Sequence, residues 1–235
     1  MLENENLISE DEKKFFICVH NLYKEKKYTK AKELINSNTK FKNSFILNNL
    51  NGLLEYEFKN YEKSIIFFRK SYNINNSFKE AKKNEVFSLI KLNKLDEAEK
   101  ILKSIIEKNK NDLDCVYTLG NLYFSKNSFS LSQKCYEDIL YRDKNYYKAY
   151  YAISRIFKQK NNYRKALNYC VKALRIKNNF PDALYSISLI LLRKSKFKYG
   201  WKYYESRFSK TDPTVIIGNE KVLPVKKIWT GDLSK

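Results

Sequence analysis

The segment Asn161-Asn162-Tyr163-Arg164-Lys165-Ala166, written NNYRKA, decides how this chain is read, because five other segments share its register. They are KKYTKA (26–31), KNYEKS (59–64), NKLDEA (93–98), KNSFSLS (126–132) and SKFKYG (195–200). Each ends on a small residue, in order Ala31, Ser64, Ala98, Ser132, Ala166 and Gly200, at intervals of 33, 34, 34, 34 and 34 residues. Three residues before each small one stands a large side chain: Tyr28, Tyr61, Leu95, Phe129, Tyr163 and Phe197. Four residues after it stands another: Ile35, Phe68, Leu102, Tyr136, Cys170 and Tyr204. Spacings of three and four put these positions on one face of a helix. The small residue lets a second helix approach, and the large ones fill the space beside it. A fixed period of this length is the mark of a stacked repeat architecture.

Working outward, each unit carries an earlier amphipathic segment, clearest in Val116-Tyr117-Thr118-Leu119-Gly120-Asn121-Leu122-Tyr123. With Ser132 and Tyr136 it follows the W-x2-L-G-x2-Y, then A-x3-F, pattern of tetratricopeptide repeats, Val116 replacing the tryptophan. The unit from Tyr147 to Phe180 matches again through Tyr150, Ile153, Ser154, Phe157, Ala166 and Ala173, with Asn178 in place of the consensus proline. Over residues 12–208 the chain therefore resembles a tetratricopeptide-repeat protein. Its expected units are 12–44, 45–78, 79–112, 113–146, 147–180 and 181–208, followed by an irregular extension or linker over 209–235. The resemblance implies an all-α fold, a right-handed α-solenoid of about six helix pairs. In the second unit Asn51 and Glu55 fall on positions that are usually apolar. A one-residue shift of that helix, with Leu50 and Leu54 in the core, is expected there.

The resemblance also implies where function lies. The first helix of each pair lines a concave groove, and five positions on it face the groove. In the third unit these are Glu80, Lys83, Phe87, Ile90 and Lys91, and in the fourth Asp114, Tyr117, Asn121, Phe124 and Ser125. The fifth unit gives Lys148, Tyr151, Arg155, Lys158 and Gln159, and the sixth Asp182, Tyr185, Leu189, Leu192 and Arg193. Aromatic and basic groups mixed in this way suit an extended peptide carrying carboxylates, whose backbone an asparagine such as Asn121 can hold through its amide. Some family members clamp a terminal carboxylate with two lysines, two asparagines and an arginine. Here Lys83, Asn121 and Lys148 match three of those five, whereas Phe87 and Ala152 replace the others.

Composition sets limits on the alternatives. The chain has 235 residues and a net charge of +20, but seven of its 46 basic residues are arginine and it carries 26 asparagines. Such a surplus of lysine and asparagine is what an AT-rich genome writes on any solvated surface, whereas specific phosphate or base recognition favours arginine's rigid fork. Nucleic acid is therefore not the expected partner. The acidic start MLENENLISEDEKK is unlike a secretory signal. Apolar stretches such as Ile187 to Leu192, itself broken by Ser188, are far shorter than the roughly 20 residues of a membrane span. A cytoplasmic, reduced setting is expected, with Cys18, Cys115, Cys135 and Cys170 acting as small buried hydrophobes. One histidine, His20, and no CxxC spacing leave no zinc site to argue, and neither GxGxxG nor a phosphate loop is present. No cofactor is expected and no catalytic constellation is found. Asp112-Leu113-Asp114 spells a DxD, but at a repeat boundary an acidic residue is expected simply as a helix start.

The end of the chain differs. Gly200-Trp201-Lys202-Tyr203-Tyr204-Glu205-Ser206-Arg207-Phe208 keeps the repeat register at Gly200 and Tyr204, then departs from it at Trp201 and Arg207. Val215 to Val225 has β-branched runs around Gly218-Asn219, the signature of an extended segment or short hairpin. Trp229, Gly231 and Leu233 follow. This order is similar to bacterial proteins in which tetratricopeptide repeats precede a glycosyltransferase domain related to O-linked N-acetylglucosamine transferases. The similarity implies that Gly200, Trp201, Tyr204, Glu205 and Arg207 form the array-closing helix. Two readings follow: a non-catalytic scaffold for a protein or peptide, or the recruiting region of a glycosyltransferase whose catalytic domain lies beyond Lys235.

Overall fold

The computed structural model describes residues 9–38, 40–204, 216–217 and 220–221. Twelve helices run through the described residues: α1 (Glu10–Lys24), α2 (Tyr28–Ser37), α3 (Phe45–Glu57), α4 (Tyr61–Ile74), α5 (Lys79–Lys91), α6 (Leu95–Lys108), α7 (Leu113–Ser125), α8 (Phe129–Arg142), α9 (Tyr147–Gln159), α10 (Tyr163–Ile176), α11 (Pro181–Arg193) and α12 (Phe197–Tyr204). The large residue of each repeated segment is the first residue of an even-numbered helix. The chain divides into two compact units, residues 1–126 and 127–235.

The local reasons for these elements are legible one by one. Ser9 caps α1 by accepting a hydrogen bond from the Glu12 amide at 3.3 Å, and Glu10, Asp11 and Glu12 sit where the helix dipole favours negative charge. Asp112 and Asn162 cap α7 and α10 through the amides of Cys115 and Lys165, each at 3.1 Å. Pro181 opens α11, where its missing N–H costs nothing. Between the helices of successive pairs stands one residue with positive φ: Lys26, Lys59, Asn93, Asn127, Asn161 and Ser195, at 56° to 64°. Around Lys59, the Asn60 amide donates to the Glu55 carbonyl at 2.8 Å and the Lys59 amide to the Tyr56 carbonyl at 2.9 Å. That pairing closes the helix end with a left-handed residue, as glycine usually does.

In the first unit Val19, Ala31, Ile35, Leu47, Leu50 and Leu54 form a buried cluster, with Phe15, Phe16, Leu22 and Tyr28 packed against it. In the second, Cys170, Ala183 and Ile187 are buried together, with Tyr151, Leu167, Phe180 and Leu191 around them. The small residues behave as their spacing requires. Ala31, Ser64, Ala98, Ser132, Ala166 and Gly200 are all buried. A methyl group on Gly200 would come within 2.6 Å of Leu192 Cδ2, so α11 and α12 meet where no side chain fits. Buried hydroxyls find partners: Ser64 Oγ lies 2.6 Å from Ser88 Oγ, and Ser71 Oγ donates to the Phe45 carbonyl at 2.7 Å.

The structure corrects two expectations. The first helix of the second repeat is not shifted: α3 begins 34 residues before α5, in the common register. Leu50 and Leu54 are buried there as expected, and Glu55 is buried as well, because Lys32 Nζ lies 2.9 Å from its carboxylate and Asn60 Nδ2 donates to it at 2.9 Å. Partnership, rather than a change of register, accommodates the charge. Nor are all cysteines buried: Cys115 and Cys170 are, Cys135 is half-buried, and Cys18 is exposed; all four are free thiols. Of the extended segment or short hairpin expected over Val215 to Val225, the described residues form β1 (Ile216–Ile217) paired antiparallel with β2 (Glu220–Lys221), Ile216 opposite Lys221 and Ile217 opposite Glu220. Glu205, Arg207, Phe208, Trp229, Gly231 and Leu233 lie outside the described residues.

Candidate functional site

The residues assigned to a groove fall in both units, and each unit presents its own stretch. In the first, Lys83, Phe87 and Lys91 follow one another at intervals of four along α5. The opposite side of that helix buries Ala81, Glu85, Val86, Ser88 and Leu89. Phe87 is 47% exposed, an uncommon placement for a phenylalanine with no core role. Lys83 is half-buried and committed: its ammonium lies 2.6 Å from Asp112. Burial lowers its proton affinity, but the hydrogen bond and the charge of Asp112, with smaller contributions from Cys115 and Glu80, together outweigh that and leave it raised. Asp112 thus serves as helix cap and counter-ion together, a second duty that the DxD spelling did not suggest. On α7, Tyr117, Asn121 and Phe124 are half-buried, beside the buried Val116, Leu119, Gly120 and Tyr123.

The second unit carries the denser stretch. Lys148, Tyr151, Arg155 and Lys158 succeed one another on α9 at steps of three and four, while Ala149, Ala152, Ile153, Ser154 and Ile156 face the interior. Lys148 is exposed, and Arg155 and Lys158 are half-buried. Tyr151 is anchored: its ring meets Phe180 edge-on at 5.1 Å, and Ser186 Oγ donates to its hydroxyl at 3.4 Å. Burial raises the proton affinity of its phenolate. Tyr151 is therefore a rigid wall between the cations rather than a mobile contact. On α11, the Tyr185 ring meets that of Tyr204 of α12 at 5.5 Å with the planes tilted by 41°, and the Arg193 guanidinium lies 4.9 Å from the Tyr163 ring. At α12, Gly200 is buried, Tyr204 is half-buried and Trp201 is 56% exposed, its ring edge-on to Tyr204 at 5.3 Å.

Charge separates the two stretches more sharply than residue type does. Residues 1–126 hold 23 lysines and arginines against 18 aspartates and glutamates, whereas residues 127–204 hold 17 against four. In the first unit, ion pairs absorb much of the basic charge: Arg69 with Glu85 at 2.6 Å, Lys126 with Asp96 at 2.6 Å and with Glu99 at 2.7 Å. Few carboxylates are available to do this in the second. Net charge taken segment by segment, rather than over the whole chain, is the sequence signal that finds this asymmetry. Among the described residues, no group of three or more His, Cys, Asp and Glu side chains could hold a metal ion, and no helix is long and apolar enough to cross a membrane.

Two segments, residues 113–146 and 147–180, match the tetratricopeptide repeat family. Among solved structures, the C-terminal part of a TPR repeat-containing protein from Cytophaga hutchinsonii is similar, with a TM-score of 0.62 and 20% identity over 83% of this chain and 78% of that one. PilF of Pseudomonas aeruginosa gives a TM-score of 0.60 and 14% identity over 69% of this chain and 74% of its own. MamA from Desulfovibrio magneticus gives 0.56 and 13% over 72% and 97%. No curated protein matches the sequence. At these identities the similarity is one of fold: an all-α assembly of tetratricopeptide-type helix pairs.

Proposed function

We propose that this chain is a non-catalytic scaffold that binds an extended, acidic peptide segment of a partner protein along the α9 and α11 stripe of its second unit. The observation that supports it most is the coincidence of Lys148, Arg155 and Lys158 with the anchored ring of Tyr151, in a stretch with 17 basic and four acidic residues. Cations at steps of three and four along a helix can meet successive carboxylates of an extended chain, and the aromatic wall gives its backbone and apolar side chains a fixed surface. In the first unit the α5 and α7 stretch offers Phe87, Lys91, Tyr117, Asn121 and Phe124 as a less charged stretch of similar chemistry. A clamp for a terminal carboxylate is disfavoured, since Lys83 is already held by Asp112.

The test is selection of random peptides by the intact protein and by the Arg155→Glu, Lys158→Glu variant, which leaves the Tyr151 packing untouched. Peptides rich in Asp and Glu are expected with the parent and not with the variant; the same peptides from both would remove this stripe from the account. The second reading, a recruiting region of a glycosyltransferase, is supported by the similarity at Gly200, Trp201, Tyr204, Glu205 and Arg207 and by the exposure of Trp201. A reading frame beyond Lys235 without a glycine-rich strand-loop-helix would end it.

A further inference from the structure

Apart from the two stripes, the first unit holds a cavity of about 270 Å³ between α4, α5 and α6. Its apolar part is made by Tyr72, Ile101 and Ile105, all half-buried. Its rim carries four lysines: Lys79 and Lys82 from α5, Lys100 and Lys108 from α6. No acidic side chain lines it. Lys82 is engaged, lying 3.3 Å from Glu85 and 4.8 Å from the centre of the Tyr72 ring. Among the described residues, Lys79, Lys100 and Lys108 have no acidic partner within ion-pair distance, although Lys32, Lys83, Lys103 and Lys126 of the same unit do. Three ammonium groups without a carboxylate partner thus stand around an apolar floor, and a bound dianion would supply the missing counter-charge.

We infer that this cavity is a binding site for a small phosphomonoester: a phosphate held by Lys79, Lys100 and Lys108, with a ring or short branched chain seated on Tyr72, Ile101 and Ile105. Lysine suits a phosphate as a point charge, and several lysines favour a dianion over a single carboxylate. The volume lies just under the roughly 300–1,000 Å³ of sites for drug-sized ligands, so it accepts a head group and one compact apolar body. The site is separate from α9 and α11 and does not depend on the scaffold reading.

Calorimetric titration of the full chain with 1-naphthyl phosphate tests it, alongside 1-naphthoate, 1-naphthol and inorganic phosphate. Binding of one equivalent of 1-naphthyl phosphate is expected, tighter than each of the other three, with the Ile101 and Ile105 methyl resonances shifting. Lys100→Gln with Lys108→Gln, both exposed and free of packing duties, should weaken it about tenfold while the helical circular dichroism is retained. Arg155→Glu with Lys158→Glu should leave it unchanged. Binding that survives the lysine double variant, binding lost through the α9 variant, or equal affinity for any of the three comparison compounds would overturn the assignment.

Discussion

Gly52, midway along α3, faces the ring of Phe68 so closely that a methyl group built on it would lie 2.5 Å from Cδ1 and 2.9 Å from Cζ, with Cε1 nearer still. Two effects of opposite sign follow from Gly52→Ala. Alanine is the better helix former by about 1 kcal/mol, which favours the variant. Overpacking a filled core costs about 1–3 kcal/mol, which opposes it. Phe68 is 1% exposed, so its ring has no solvent to swing into and the clash has to be met by moving α3 against α4. The second effect wins, and a net loss of up to about 2 kcal/mol is expected from these two terms. For a chain of this size that lowers the thermal midpoint by up to about 8 °C. Circular dichroism at 222 nm on heating measures it. The cause is isolated by the double variant with Phe68→Leu, which should lose less than the sum of the single changes, since leucine vacates the space the methyl needs. A Gly52→Ala protein more stable than the parent, or strict additivity with Phe68→Leu, would refute the close approach of α3 and α4.

Further expectations concern charge and backbone. Glu85 is 1% exposed and bound by Arg69 at 2.6 Å, while the Arg69 side chain is half exposed. Arg69→Met, which leaves a buried carboxylate with Lys82 alone, should therefore cost about 2–4 kcal/mol in denaturant unfolding, and Glu85→Met clearly less, because water can solvate the freed guanidinium. Hydrogen bonds from Lys103 and Lys126 hold the Glu99 carboxyl down to about 2, against an ordinary value of 4.5. A folded-state value below the unfolded one means stability that is complete above about pH 4.5 and lost as pH falls towards 2. The thermal midpoint of Glu99→Gln should accordingly fall less steeply than the parent's across that window. Lys59 holds φ at 64° on an exposed turn. Lys59→Gly should leave the midpoint unchanged or raise it by an amount on the order of 1–2 °C, and Lys59→Val should lower it, since a β-branched residue resists that conformation.

The parts of the fold that the sequence spelled out are those where packing leaves one residue size available. Where two helices meet at Ala31, Ala98, Ala166 or Gly200, only a small side chain fits, so the 34-residue period had to be written in small residues. The left-handed turns were less visible, because Lys26 and Lys59 stand where glycine or asparagine would have announced them. In the second repeat Asn51 and Glu55 suggested a shifted helix, since pattern alone does not reveal that Lys32 partners both: its ammonium lies 2.9 Å from Asn51 Oδ1 and 2.9 Å from Glu55. At the candidate site, helical spacing could place Lys83 and Tyr151 on a face but not say what holds them. Lys83 is taken by Asp112, 29 residues later, and Tyr151 by Phe180 and Ser186, contacts set by the stacking of one pair on the next. The scarcity of carboxylates from residue 127 onward was in the sequence throughout, and only a division into units made it stand out.

The central claim is that cations on α9 select an acidic extended segment. Its most direct measurement is fluorescence anisotropy of an acidic peptide recovered by selection, titrated with the parent and with Arg155→Glu, Lys158→Glu in rising salt. Binding that weakens with salt in the parent and is reduced tenfold or more in the variant is expected. Equal affinity of the two proteins, with both unchanged by salt, would contradict it.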